Sequence, residues 1–312
     1  MRIIRDFQSC PPESRNAAVA LGNFDGVHLG HQSILNKAVS LAETENIPSA
    51  VMTFEPHPRE FFAKDGKRLR ISSFHDKVEL FAGLGINTLF LVRFNARFAS
   101  LSPTAFVDEV LCRELGVRHV VTGYNFAFGK GRAGDTAFLE AQAQQKGFGF
   151  TACPAVYSAR GEAISSSAIR GFLTAGEVKK ASALLGRPYT ISGIVRRGQR
   201  NGHKLGFPTA NVSLRNLFTP RYGVYAVRFR IADDKGWHNG VANLGIKPTF
   251  GHTEPLLEVH GFDMNRDLYG QRISVELVEF IREERRFDGM EALQIQIAAD
   301  CGQARKILQG NI

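Results

Sequence analysis

The chain changes rhythm near residue 187, and that change limits its possible folds more than any single motif does. Up to about residue 186, short apolar runs alternate with longer helix-like stretches. AAVAL, SAVMTF, TLFLV, RHVVTG and GFTACPAV read as strands; HQSILNKAVSLAETE, FHDKVELFAGLG, SPTAFVDEVLCREL and DTAFLEAQAQQKG read as helices. Strands apolar almost throughout, separated by helices, predict a parallel sheet covered on both faces. After residue 187 the runs YTISGIVRRG, GVYAVRFRIA, GWHNGVANLG, LLEVHGFD and QRISVELVEFIR are separated by Gly, Pro and Asp turns. They predict an antiparallel sheet or small barrel. FLTAGEVKKASALLGRPY bridges the halves as a short helical pair. A last helix is expected from about Gly289, with Asp288 as N-cap, Glu291 at capping-box spacing, and Met290, Leu293 and Ile297 on one face. A length of 312 residues favours two cores over one, and the expected domains are residues 1–186 and 187–312.

Composition removes several function classes. No apolar run approaches the roughly 20 residues that cross a bilayer, and MRIIRDFQSCPPESRN lacks the apolar core of a signal peptide. Cys10, Cys112, Cys153 and Cys301 are scattered with no CxxC pair, which argues against a zinc ribbon or disulfide framework and fits a reducing cytoplasm. A net charge of +9 suits nucleic acid, an anionic membrane or small phosphorylated ligands. The basic residues are dispersed apart from VRRGQR and IREERRF, with no RNP-type strand or zinc-finger spacing. Small anionic molecules are therefore the expected partners, without nucleic acid or membrane, for a monomer or weak homo-oligomer.

The unusual residues of the first half follow its strands. GNFDGVHLGH, EPHP (Glu55 to Pro58), RFNARFASLSP, GYNFAFGKGR (Gly123 to Arg132) and ISSSAIR (Ile164 to Arg170) come after the five strands in turn. In open parallel sheets, ligands bind beyond the carboxyl ends of the strands. Five such loops predict a composite site, although loops are polar and glycine-rich in general. If a helix begins near Val27, His28 and His31 lie one turn apart on one face. A helix N-terminus supplies free N–H groups and partial positive charge, which suit phosphate. A zinc site would call for HExxH spacing and a third ligand, and neither is evident; packing is the other alternative for the pair. ISSSAIR adds Ser165, Ser166, Ser167 and Arg170, a set fitted to phosphate oxygens or, as serines alone, to a helix cap. Neither a Walker A sequence nor a GxGxxG opening a helix occurs.

A strand followed by HxGH, with ISSSAIR later, resembles the nucleotidylyltransferase superfamily. GNFDGVHLGHQ, TFEPHP, GYNFAFGKGRAGD and ISSSAIR are similar to the N-terminal module of the bacterial bifunctional FAD synthetases, which join riboflavin kinase to FMN adenylyltransferase. GQRNGHKLGFPTANV, GVYAV, GVANLGIKPTF, LEVHGFD and DLYGQRISVELVEFIREERRF resemble the kinase module in order, so that the likeness covers almost the whole chain. The sequence departs from the family pattern at Ser167, where Thr is usual, and at Asn125, where many relatives carry an acid.

The resemblance implies a Rossmann-like N-terminal domain and a β-barrel with a closing helix. It implies ATP, riboflavin, FMN and FAD as substrates or products and Mg²⁺ as cofactor. In the kinase half it implies Glu258 as the base that activates the riboflavin 5′-hydroxyl, a weak nucleophile. Thr209 and Asn211 then offer hard oxygen donors to Mg²⁺ and phosphate, while Gly198, Gly202, Gly206 and Pro208 let the backbone approach the nucleotide. In the transferase half the FMN phosphate is already anionic, so the task is to neutralise repulsion and align groups. His28 and His31, with Gly22, Phe24 and Gly26, would meet the α-phosphate region, and Ser165, Ser166, Ser167 and Arg170 the departing phosphates. Asn125, Phe54, Pro56, Pro58 and Phe128 would place the flavin.

Overall fold

The structure is a computed structural model describing residues 1–5, 10–63, 68–159, 161–197, 207–232, 234, 236–246, 254–264 and 266–310. The chain divides into two compact units: Met1–Leu69 with Phe74–Ser165, and Arg70–Ser73 with Ser166–Ile312.

In the first unit β1 (Arg2–Ile4), β2 (Ala18–Leu21), β3 (Ser49–Glu55), β4 (Thr88–Arg93), β5 (His119–Gly123) and β6 (Gly149–Cys153) form one sheet. Its order is β1-β4-β3-β2-β5-β6, and every pair is parallel. The continuous apolar runs have the cause expected of them: all four residues of β2 are buried, as are the first five of β3 and of β4. The helices are α1 (Leu29–Glu45), α2 (Pro58–Phe62), α3 (Phe74–Gly83), α4 (Ala96–Ala99), α5 (Pro103–Ala105, continued in π-helical turns to Leu115) and α6 (Thr136–Lys146). Leu35 of α1 and Phe81 of α3 pack on one face of the sheet. Leu111, in the π-helical turns after α5, and Leu139 of α6 pack on the other with Phe106 and Phe128. From β2 the chain proceeds outward through β3 and β4, then returns to β5 and β6 on the other side. The topological switch therefore lies between β2 and β5, where the loop carrying the two histidines begins.

In the second unit β7 (Thr190–Arg196), β8 (Ala210–Ser213), β9 (Gly223–Ile231), β10 (His238–Ile246), β11 (Pro255–Gly261) and β12 (Arg272–Arg282) close into a barrel. The order is β10-β11-β8-β7-β12-β9, antiparallel throughout. Breaks in register at Leu277/Glu279 and Phe280/Arg282 let the long β12 bend. The helical pair is α7 (Ser166–Ala175) and α8 (Val178–Leu185), of which α8 packs on β12.

The C-terminal helix runs Met290–Gln309, but Asp288 does not cap it. Gly289, at φ +142°, holds that position with no side-chain bond. Glycine alone takes such a backbone readily. Met290 is exposed, and burial comes further along, where Ala304 and Leu308 meet Val224, Ala226 and Val241. One turn earlier, Asp300 is buried and accepts from Arg282 Nε at 2.9 Å and Nη2 at 2.7 Å, and from Gln296 at 2.7 Å. Asp300→Ala leaves the half-sheltered guanidinium without its partner. The expected loss is about 3 kcal/mol of stability, read as a lower unfolding midpoint of the second unit by calorimetry.

Candidate functional site

The loop after β2 is built against backbone preference. Phe24, Gly26 and Val27 have φ of 49°, 81° and 41°. For a β-branched residue such a φ is an outlier, held in place because Phe24 and Val27 are both fully buried. The Phe24 ring lies where a Cβ on Gly22 would come within 3.1 Å of it, so this glycine admits the ring.

Helix α1 starts at Leu29 rather than at Val27, and His28 is its N-cap. Its Nδ1 accepts the His31 backbone N–H at 3.2 Å, so the ring's donor is Nε2. The two imidazoles stack, with centroids 3.6 Å apart and planes 16° from parallel. Gly30 makes this possible: a Cβ there would sit 3.2 Å from the His28 ring and 3.6 Å from the Ile164 carbonyl oxygen. The same contact brings the start of the ISSSAIR segment to the histidine loop.

Burial pushes the His31 pKa well below that of an ordinary imidazole, and the neighbouring His28 and Lys77 push it the same way. His31 is therefore neutral at pH 7. Its Nδ1 is enclosed and has no hydrogen-bond partner among the described residues. Two stacked imidazoles at a helix N-terminus form a donor set for an anion. Among the described residues, no group of three possible metal ligands includes either histidine; the one such group is His75, Asp76 and Glu79 on α3.

Lys77, on α3, is a residue that sequence reasoning missed. It is buried, and its Nζ donates to the Asn23 carbonyl oxygen at 3.3 Å, next to the Thr53 hydroxyl at 3.5 Å. A lysine in an amphipathic helix gives no sequence signal for this position.

The flavin-packing candidates occupy one aromatic system. Phe54 meets Phe98 at 5.6 Å and Phe94 at 5.9 Å; Phe98 continues to Phe106 and Phe106 to Phe128. Phe128 is 8% exposed and belongs to the core end of this series. Phe94 leads the other way, to the exposed Phe61 and Phe62. Phe61, Phe62, Phe94 and Phe98 were not singled out in the sequence, although REFF and FNARF show them. Pro56 follows Glu55 through a cis bond, and Pro58 opens α2. Asn125 is exposed in the turn after β5. Ser165 closes the first unit, while Ser166, Ser167 and Arg170 lie in the first turns of α7, which belongs to the second.

On the barrel, strand register assembles a second constellation. Glu258 of β11 stands opposite Asn211 of β8, and on its other side opposite Asn243 of β10. Arg196 of β7 is the next partner of Asn211. Residues directly opposite share a face. The alternate residues Leu257, Val259 and Val212 are buried; in the row itself Asn211 is buried at 7% exposure, Glu258 and Asn243 are half-buried, and Arg196 is exposed. Beside it a cleft of about 370 Å³ is lined by Pro208, Thr209, Asn211, Arg196 and Tyr269. Asn211 turns its amide nitrogen toward the Thr209 carbonyl at 3.5 Å, which directs its oxygen the other way. Gly198, Gly202 and Gly206 lie outside the described residues.

Two family models match successive stretches of the chain. The family model for FAD synthetase matches residues 10–168, and that for riboflavin kinase matches residues 185–308. The chain is 40% identical over 308 residues to the bifunctional riboflavin kinase/FMN adenylyltransferase of Pseudomonas fluorescens, covering 98% of each chain. It is 38% identical over 301 residues to that of Escherichia coli K12, covering 96% of each. A solved structure described as a macrolide-efflux protein from Streptococcus pneumoniae superposes with a TM-score of 0.84 at 30% identity, over 97% of this chain and 98% of that one. Among the described residues no helix is long and apolar enough to cross a membrane.

Proposed function

The chain belongs to the family of bifunctional riboflavin kinase/FMN adenylyltransferases, and from that premise we propose that its two reactions are divided between the two constellations, FMN formation in residues 187–312 and FAD formation in residues 1–186. The observation that carries this reading is that the two constellations are centred on different elements: the stacked histidines at the sheet's switch point, and the Asn211–Glu258 pair on the barrel.

Phosphorylating riboflavin requires a proton to leave its 5′-hydroxyl as the γ-phosphoryl group of ATP arrives. Glu258 accepts that proton in this assignment. Thr209 and Asn211 beside it offer a hydroxyl and an amide oxygen, donors that fit Mg²⁺. The cation, when bound, neutralises the phosphate oxygens. Pro208 is assigned to the nucleotide, as are the glycines at 198, 202 and 206, which lie outside the described residues.

Adenylylation needs no strong base, because the FMN phosphate is anionic at neutral pH. Its obstacle is repulsion between two anions. His28 and His31 donate to the α-phosphate, with Gly22, Phe24 and Gly26 shaping the loop. Ser165, Ser166, Ser167 and Arg170 hold the phosphates that leave as pyrophosphate. Phe54, Pro56 and Pro58 face the flavin with Asn125, and Phe128 backs this wall through Phe106.

Given riboflavin, ATP and Mg²⁺, the full chain is expected to produce FMN and then FAD by chromatography, and chelation of the metal to stop FMN formation. Asn211→Ala is expected to raise the Mg²⁺ concentration needed for FMN formation about tenfold and to leave the requirement for FAD formation unchanged. Equal displacement of both requirements contradicts the assignment of Asn211 to the kinase half.

A further inference from the structure

The buried amine of Lys77 has no part in the assignments above, yet it stands at the turn that sets up the histidine pair. The Asn23 carbonyl oxygen accepts two side-chain bonds: from Thr53 Oγ1 at 3.0 Å, in β3, and from Lys77 Nζ at 3.3 Å, in α3. Asn23 directly precedes Phe24, Gly26 and Val27, whose left-handed backbone would not persist unaided. A strand and a helix on the same face of the sheet thus grip one carbonyl at the base of the strained loop. Lys77 is 7% exposed, a costly location for a side chain that serves only solubility.

We propose that Lys77 is a positioning residue for adenylyl transfer: it clamps the Asn23 turn from α3 and maintains a fixed positive charge beside the stacked imidazoles. This rests on the reading that the histidine loop is the adenylyl-transfer site.

The clamp and the charge have separable consequences. His31 is covered by the Phe24 ring at 5.3 Å and by His28 at 3.6 Å, and Phe24 is in turn covered by Phe81. The titratable groups around it are His28 and the buried Asp25 of its own loop and Lys77 of α3, while β3 presents the uncharged Thr53 hydroxyl. His75, Asp76 and Glu79 of α3 gather with one another. A proton added to His31 would charge a ring stacked on His28, and on Nδ1 it would find no acceptor among the described residues. A cation at Lys77 opposes that proton. Removing the cation raises the His31 pKa, so protonation disrupts the pair at higher pH.

The test follows FAD formation from supplied FMN between pH 5 and 8 in the full chain, with FMN formation from riboflavin as the internal standard. Lys77→Met is expected to lower kcat/KM about tenfold at pH 7.5 and to move the acid-side fall in FAD formation to higher pH than in the parent. Lys77→Gln, which keeps a donor toward Asn23, is expected to show the same move of the acid fall with a smaller loss at pH 7.5. Thr53→Val removes the other bond to the same carbonyl and is expected to lower the rate by one factor at every pH. FMN formation stays within twofold in all three. An unchanged profile in both lysine variants overturns the proposal. So does a Thr53→Val profile that matches Lys77→Met, or misfolding of both lysine variants, which would assign Lys77 to stability alone. His31→Gln distinguishes the premise: parent-level FAD formation in that variant refutes the site itself, whatever Lys77 does.

Discussion

Glu258→Ala is expected to abolish FMN formation from riboflavin, by about 10²–10⁴-fold, while FAD formation from supplied FMN continues at the parent rate. The size follows from the chemistry: an alcohol at neutral pH is almost entirely protonated, and its attack stalls unless a positioned acceptor takes the proton. The selectivity follows from placement, since Glu258 is held by barrel register between Asn211 and Asn243 and its strand belongs to the second unit alone. Glu258→Gln keeps the shape and removes the acceptor, so it is expected to behave like Ala. Single-substrate assays separated by chromatography measure both rates, and equal loss of both activities would defeat the division of labour.

The converse experiment has the second large effect. His28→Ala combined with His31→Ala is expected to reduce FAD formation by at least about 10³-fold, since one preorganised donor at a developing charge is worth about 10²–10³. FMN formation should persist. The two single variants are expected to be far from additive. His28 accepts the His31 backbone N–H, and each ring covers the other, so loss of either alters the remaining one. Substantial FAD formation in the double variant would reject the pair as the phosphate-binding donors.

Much of this was readable in the sequence, for identifiable reasons. Strands buried on both faces, such as AVAL of β2 and SAVMT of β3, announce a parallel sheet because neither face is left to solvent and the few polar side chains, Ser49 and Thr53, are hydrogen-bonded inside. HxGH marks its loop because His28, Gly30 and His31 satisfy one packing requirement together. What escaped was short or depended on partners far away in the chain. Arg2–Ile4 is a strand only because it finds β4. Ala210–Ser213 sits inside what reads as a glycine loop and becomes a strand through β7 and β11. Lys77 carries no mark of burial in its own neighbourhood; it becomes legible once Asn23 and Thr53 are seen beside it. The aromatic series from Phe62 to Phe128 joins four separate stretches, and no window of sequence contains it. The Asp288 cap failed for a local reason, the extended positive-φ backbone of Gly289.

Closure of the barrel has a consequence for synthesis. The first unit's sheet has all its strands once β6 ends at Cys153, so it can form while the remainder of the chain is still on the ribosome. The barrel cannot proceed in this stepwise way, because Thr190, at the start of its first strand, pairs with Glu276 of its last. Until that last strand is released from the exit tunnel, β7 has no partner along one side. Pairings so distant in sequence form slowly. The nascent chain thus carries a finished adenylyltransferase sheet ahead of a kinase barrel that closes only once β12 has emerged, and a premature stop within β12 would leave the first fold without the second.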